Sequence, residues 1–340
     1  MLIGDRPQGA QSQHVSQRRN MAGPGAVHAP TGCPIEALLA TGTVFHESWW
    51  REAVTEAPAG LAVVERGGRI LGAMPYQTRR RHGLVSIGQP GLSHVLGPVV
   101  EAAGGGAGNA IRRNIEITGE LARQLPSHTH CFFRLHDGIS ESLGFNLAGF
   151  DNGADFTIRI APAEERLLWG AMRDKTRNVV RRATDLHEVR DIGADAFIDL
   201  YGRNLAARQT ANAYDPGMLR RALRAAVLRH RGRCLAAHDR SGEPMAAVFT
   251  VWDARSEYYL LSTRTSSSSA GAVSLLIWHA LREAASNGRT FDLDGIHVHG
   301  ENSPNLLLLT GFGGTIASRI TVRHLSRLAG LARSFWITRR

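Results

Sequence analysis

The chain has 340 residues, 43% hydrophobic and 21% charged, enough for a buried core in one large or two mid-sized domains. No run approaches the roughly 18–20 uninterrupted apolar residues of a membrane-spanning helix. Met1–Pro30 lacks the apolar segment of a secretory signal. Stable membrane insertion is therefore not expected, and the cytoplasm is the expected compartment. The formal net charge of +10, from 40 Lys and Arg against 30 Asp and Glu, suits anionic partners such as a nucleotide cofactor, tRNA or an acidic membrane surface. An arginine-rich composition throughout gives the same sum, so charge alone assigns nothing. Cys33, Cys131 and Cys234 show neither paired nor metal-ligand spacing. Cys131 and Cys234 sit in apolar stretches, as small core residues of a protein in a reducing compartment do.

In chain order, Met1–Pro30 is rich in Gly, Pro, Gln and Ser and reads as a disordered tail, with an Arg-rich, acid-poor leader as the alternative. Thr43–Glu56 has helical spacing. Gly60–Arg66 and Arg69–Tyr76 read as a hairpin around Gly67–Gly68. A Gly- and Pro-rich passage, Ser86–Pro98, and an Ala/Gly loop, Ala102–Gly108, precede a helix over Asn109–Leu125. His130–Leu135 reads as a strand and Ile139–Leu143 as a short helix ending near Gly144.

The second half repeats the plan. Phe156–Ile160 alternates as a strand, and Ala163–Thr184, Phe197–Ala207 and Met218–His230 are helical. Cys234–His238 and Met245–Trp252 form a hairpin turned at Ser241–Gly242, and Ser256–Ser262 is a third strand. A polar break at Ser266–Ser269 leads to a long helix, Ala270–Ser286. A buried strand (Thr290–Leu293), a helix (Asn302–Thr310) and a closing strand (Thr315–Val322) follow. In each half a long helix leads to a short apolar strand, a helix, a Gly-Phe pair (Gly144–Phe145, Gly311–Phe312) and another strand. This is the order expected of a degenerate tandem duplication. The expected division is a tail over 1–40, domains over 41–150 and 151–325, and a basic tail over 326–340.

Chemistry concentrates in Glu257–Ser286. The strand Tyr258–Ser262 runs into Thr263–Ala272 and then a helix, so backbone N–H groups of the first helical turn face whatever lies beyond the strand end. Ser262, Thr263, Arg264, Ser269, Gly271 and Ala272 are the candidate phosphate-binding residues; a serine-capped solvated loop is the alternative. Asp292 and Asp294 project to one side of the next strand, each as a general base, an amine anchor or an acceptor for loop N–H groups. His297 and His299 flank Val298; with no third ligand in reach they do not make a metal site, but His297 is a candidate proton shuttle. Lys175, Arg177, Arg181 and Arg182 recur at helical spacing, as phosphate ligands for an acceptor or as a solvated face. Tyr258 and Tyr259 suit a core hairpin, with one of them, taken as Tyr259, facing a cleft.

The segments Gly271–Ala284, Gly288 and Phe291-Asp-Leu-Asp-Gly295 resemble the BioF2-like branch of the GNAT acyltransferases, which is related to the Fem-type aminoacyltransferases. Trp169–Met172, Lys175–Ala183, Thr43–Trp49 and Pro75 extend the resemblance over residues 43–325. It implies tandem GNAT-like α/β (α+β) domains, each a mixed, mostly antiparallel sheet flanked by helices. It also implies transfer of an acyl group from acyl-CoA, such as acetyl-CoA, to a primary amine of a small molecule or cell-envelope precursor, without a metal. Asp292, Asp294 or His297 would take the amine proton, and backbone N–H groups would hold the oxyanion. A Fem-type transfer from charged tRNA onto a peptidoglycan-like precursor and a non-catalytic scaffold are the other two readings. Two departures stand out. A serine run separates Arg264 from Gly271–Ala272, where the family's cofactor loop is compact, and no heptad array for tRNA is present. The first half lacks a clear carboxylate at the equivalent place and is expected to be structural or acceptor-binding.

Overall fold

A computed structural model describes residues 34–102, 106–268, 271–294 and 304–326. The first half opens with α1 (Pro34–Leu39), a 3-10 turn at Val44–His46 and α2 (Ser48–Val54). β1 (Ala59–Arg66) and β2 (Arg69–Arg81) form the expected hairpin, with φ of 59° at Gly67 and 75° at Gly68, which a tight two-residue turn requires. β3 (Leu84–Gly88), β4 (Val99–Val100), α3 (Ala107–Arg123), β5 (His130–Arg134), α4 (Leu143–Leu147) and β6 (Asp151–Ile160) follow. The second half comprises α5 (Glu165–Ala171), α6 (Asp174–Leu186), β7 (Glu188–Ile192), α7 (Ala194–Ala207) and α8 (Pro216–Leu228). It continues with β8 (Gly232–His238), β9 (Pro244–Trp252), β10 (Ser256–Arg264) and α9 (Ala272–Ser286). β11 (Thr290–Asp292), α10 (Pro304–Leu309) and β12 (Thr315–Leu325) close it.

Several elements differ from expectation for identifiable reasons. Pro34–Leu39, expected within the N-terminal tail, is helical, and its Leu39 is buried with Ala73 and Val99. The short helix after β5 starts at Leu143 instead of ending there. Gly144 lies inside it because α3 passes so close that an added Cβ would sit 2.1 Å from Thr118 Oγ1. The stretch Ala163–Thr184 breaks into α5 and α6 at Met172–Arg173, where Arg173 N–H bonds to Gly311 O. β7 is an edge strand with most side chains in solvent, so its sequence carries no apolar alternation.

The strands form one sheet in the order β1-β2-β3-β5-β12-β6-β11-β10-β9-β8-β7, with β4 alongside β2. Each half contributes an antiparallel hairpin, a third strand, a crossover helix and a strand parallel to the third. These parallel pairs are β3 with β5 and β10 with β11. All other pairings between named strands are antiparallel. The closing strands are exchanged. β6, expected to open the second half, fills the place of the first half's last strand, yet it pairs with β11, while β12, the last of the second, lies between β5 and β6. The sheet therefore runs across residue 150 without a break.

Packing separates the two faces at the second half. Ile158, Ile160 and Phe291 pack on α9, α6 and α5, whereas Tyr258 belongs to the core under α7, α8 and the first half. Burial of these apolar side chains at roughly 25 cal/mol per Å² is the main force holding the layers. Because β5 without β12 exposes a sheet edge and Phe133, residues 34–160 produced alone, β6 included, are expected to show no cooperative urea transition. A sigmoidal unfolding curve for that fragment would refute the exchange as a stability requirement.

Candidate active site at the seam

β10 and β11 are paired only as far as Tyr258 and Asp292. Beyond that point β10 stays with β9 up to Arg264, paired with Ala246, while Leu293 N–H bonds to Ile158 O of β6. The two parallel strands thus splay. α9 starts beside them at Gly271 with no side-chain cap. Gly271 is required by packing: a Cβ there would lie 2.9 Å from both Ala183 Cβ and Val179 O of α6.

On the face opposite α9, the strands at the seam carry a continuous polar network. Side-chain alternation places Thr157, Arg159, Asp292 and Arg319 together. Thr157 Oγ1 donates to Asp292 Oδ1 at 2.6 Å, and Asp294 N–H donates to the same oxygen at 3.0 Å. Arg319 Nη2 reaches Asp292 Oδ2 at 2.7 Å and its Nη1 bonds to Asp294. Arg159 Nη2 lies 3.0 Å from Asp137, and its Nε is 3.9 Å from Asp292. Asp294 takes a left-handed φ of 47°, uncommon for a residue with a side chain, and this turns its carboxylate to His94, with Nε2–Oδ2 3.0 Å. His94 arrives on the Ser86–Pro98 passage of the first half. That passage is fixed by Trp50 Nε1 donating to Ser93 Oγ (3.1 Å), by Gln89 bridging Ser93 O and Arg134 N, and by Leu96 N–H on Arg134 O (2.8 Å). A cavity of about 190 Å³ adjoins the network, lined among others by His136, Asp137, Tyr258, Asp292 and Arg319.

Electrostatics follow from burial and these partners. Burial opposes ionisation of Asp294, but His94, Arg319 and Arg134 outweigh it and hold its carboxyl far below the usual range. Burial likewise opposes the charge of Arg319, and Asp292 and Asp294 more than restore it. Burial, then the charges of Asp253, Asp292 and Asp137, push the Tyr258 hydroxyl well up. His46 and His136, in edge-to-face contact at 4.8 Å, are both depressed chiefly by burial.

The structure distributes the expected site residues as follows. Asp292 and Asp294 are brought together; His297, His299 and Ser269 lie outside the described residues. Ser262 and Arg264 are exposed at the end of β10, while Thr263 is buried and accepts from Asn204 Nδ2 at 2.9 Å. Gly271 and Ala272 form the start of α9. Tyr259 packs with the α9 core, and burial raises its hydroxyl to about 12, so it does not face the seam cavity that Tyr258 lines. Lys175, Arg181 and Arg182 are exposed on α6. Arg177 folds back onto the carbonyls of Gly170 (3.1 Å) and Met172 (2.5 Å), closing the end of α5. Sequence reasoning missed His94, Arg134, Thr157, Arg159 and Arg319. The one signal for any of them was the alternation of Thr157 and Arg159 with Phe156, Ile158 and Ile160 in β6. Among the described residues no group of three His, Cys, Asp or Glu is arranged to hold a metal, and no helix is long and apolar enough to cross a membrane.

At the seam, then, one of the two parallel strand pairs splays beside an uncapped helix start. In the family comparison, residues 170–300 match the model of the acetyltransferase (GNAT) domain. Solved structures extend the likeness over both halves. FemX matches with a TM-score of 0.65 at 11% identity, covering 86% of this chain and 95% of FemX. L-PGS from Bacillus licheniformis matches at 0.52 and 7% identity, covering 90% and 95%. A domain assigned as the C-terminal part of a lysylphosphatidylglycerol synthetase of Agrobacterium fabrum matches at 0.51 and 11%, covering 88% and 94%. At these identities the likeness is one of fold. No curated protein matches the chain by sequence.

Arg319→Met leaves two buried carboxylates without their shared cation and is expected to cost about 3–5 kcal/mol in urea unfolding at neutral pH. An unchanged midpoint would show that the network is not what closes the seam. For His46, the native ring stays neutral while the unfolded one takes a proton below about pH 6.5. Stability present above that pH is therefore lost as pH falls through it. His46→Gln should flatten the loss measured by thermal unfolding from about pH 7 to 5, and an identical slope in the variant would contradict this.

Proposed function

We propose that this protein is an N-acyltransferase that moves an acyl group, in the simplest case acetyl from acetyl-CoA, onto a primary amine of a small molecule or cell-envelope precursor. The observation that carries the reading is the splay of β10 from β11 next to the uncapped start of α9. A helix N-terminus with open N–H groups suits a pyrophosphate. Ser262, Arg264 and the Gly271–Ala272 turn are the residues that would meet it, with Thr263 holding β10 to α7. The donor's carbonyl would lie between the splayed strands, where backbone N–H groups supply oxyanion stabilisation and fixed geometry supplies most of the rate. The exposed Lys175 and Arg181 on α6 suit phosphates of the acceptor or the donor. In this reading the chain divides functionally at about residue 150, with the first half covering the seam and the second binding the donor.

A second reading, Fem-type transfer of an aminoacyl group from tRNA to a peptidoglycan-like precursor, draws on the full-length fold likeness to FemX. One experiment separates the two. Titration calorimetry with acetyl-CoA is expected to give saturable heat, with slowed amide exchange over residues 262–272. Absence of both would sink the acyl-CoA version. Binding of aminoacyl-tRNA with a steep salt dependence in its place would favour the second reading.

A further inference from the structure

Three imidazoles meet at the seam, and two of them have both nitrogens engaged. His46 contacts Thr43 N–H and Oγ1 through Nδ1 and Gly97 O through Nε2. His136 Nε2 lies on Pro98 O at 2.8 Å and its Nδ1 accepts from Gly138 N–H at 3.1 Å. His94 differs. Its Nε2 is 3.0 Å from Asp294, and its Nδ1 is buried without a hydrogen-bond partner.

The neighbours fix which ring nitrogen serves Asp294. Asp294 is also bonded by Arg319, which in turn bonds Asp292. A carboxylate so placed is ionised and only accepts, so the proton between the pair belongs to His94 Nε2. Nε2 is thereby committed to Asp294, and Nδ1 is the ring nitrogen left without a partner. The backbone supports the same geometry twice. Asp294 stands in a strained φ just past the point where β10 and β11 part, and Arg134 Nη1 holds His94 O at 3.2 Å. The ring itself packs against the touching pair Phe45 and Tyr258, with centroids at 5.8 and 6.5 Å. The charged and titratable groups around it are Asp294 and Asp292 beside β11, Arg319 from β12, Arg134 from β5 and Tyr258 from β10. Tyr214, ahead of α8, is also within the field of Asp294.

We propose that His94, carried into the site by the first half of the chain and oriented by Asp294, is the group that takes the proton from the attacking amine. The assignment rests on the N-acyltransferase reading. As the amine nitrogen bonds to the acyl carbonyl carbon, the bond from that carbon to the donor's sulfur or oxygen breaks and its electron pair leaves with the heteroatom. The amine proton passes to His94 Nδ1 and then to the departing thiolate or alkoxide, so the imidazole ends neutral. Asp294 stays ionised throughout and stabilises the transient imidazolium. Asp292 and Arg319 are positioning residues that keep Asp294 charged. The first half is thereby part of the catalytic apparatus and more than a decayed copy that props the second.

Two measurements on the full chain decide it. In long-range nitrogen–proton spectra of histidine-labelled protein, the resonances missing from His94→Gln should show a protonated Nε2 and an unprotonated Nδ1 at neutral pH. A protonated Nδ1 overturns the proposal. In turnover assays with acetyl-CoA and a panel of small primary amines, read by free thiol, His94→Gln should keep the wild-type unfolding midpoint and the KM for acetyl-CoA. Its kcat should fall at least about 100-fold, and the acid limb of the pH–rate profile should disappear. Asp294→Asn should lower kcat and move that limb. Wild-type kcat and pH profile in His94→Gln would also overturn the assignment. If the wild-type protein releases no thiol with any amine, the acyl-CoA reading itself fails, and the tautomer alone then decides whether the pair is built as described.

Discussion

Arg319 is nearly buried, and it lies between two carboxylates that could not remain charged in a protein interior without it. Its position depends on a topological fact, the insertion of the last strand, β12, between β5 of the first half and β6. Through this one guanidinium the end of the chain fixes Asp292 and Asp294 of the second half, and through Asp294 it fixes His94 of the first. The remaining charges of the seam, Arg134 with Asp155 and Arg159 with Asp137, extend the same alternation of sign across neighbouring strands. Removing Arg319 leaves the buried Asp292 without its cation, whereas Asp137 and Asp155 are open to solvent.

The two faces of the sheet divide the work. The α9 face is close-packed and apolar, and small residues such as Gly271 and Ala183 let α6 and α9 approach closely. That rigidity gives the start of α9 a fixed place beside the splayed strands. The opposite face holds the polar network and the cavity, shielded by the Ser86–Pro98 passage and the Phe45, Trp50 and Tyr258 rings. The site thus has an apolar frame on one side and paired charges on the other, an arrangement that the proposed acyl transfer to an amine would draw on.

Much of the frame was legible in the sequence. The hairpins announced themselves through Gly67–Gly68 and Ser241–Gly242, and the long helices through their apolar stripes. The repeated Gly-Phe marked two places where a helix crosses closely: Gly144 under α3 and Gly311 against Thr176 of α6. Asp292 and Asp294 were legible because two acids in a short buried strand are costly and need a reason. Thr263, read as part of the polar loop, is instead the end of β10 bonded to Asn204, and Tyr259, taken to face a cleft, packs with the α9 core. Alternation tells which residues share a face, but not which face meets the cavity. Arg177 was read as a phosphate ligand because charge in a run says nothing about the carbonyls at the end of α5 that it satisfies.

By itself the amino-acid sequence determined the elements, their order in two matching halves, the apolar helix behind the splayed strands and the two acidic residues at their end. These follow from local chemistry, in which periodicity, turn residues and capping act over a few positions. Only the tertiary structure decided that the closing strands are exchanged, that Arg319 sits between Asp292 and Asp294, and that His94, 200 residues upstream of Asp294, completes the group. Register between distant strands is chosen by the burial of whole faces and the pairing of buried charges. Neither is a property of any short stretch of chain.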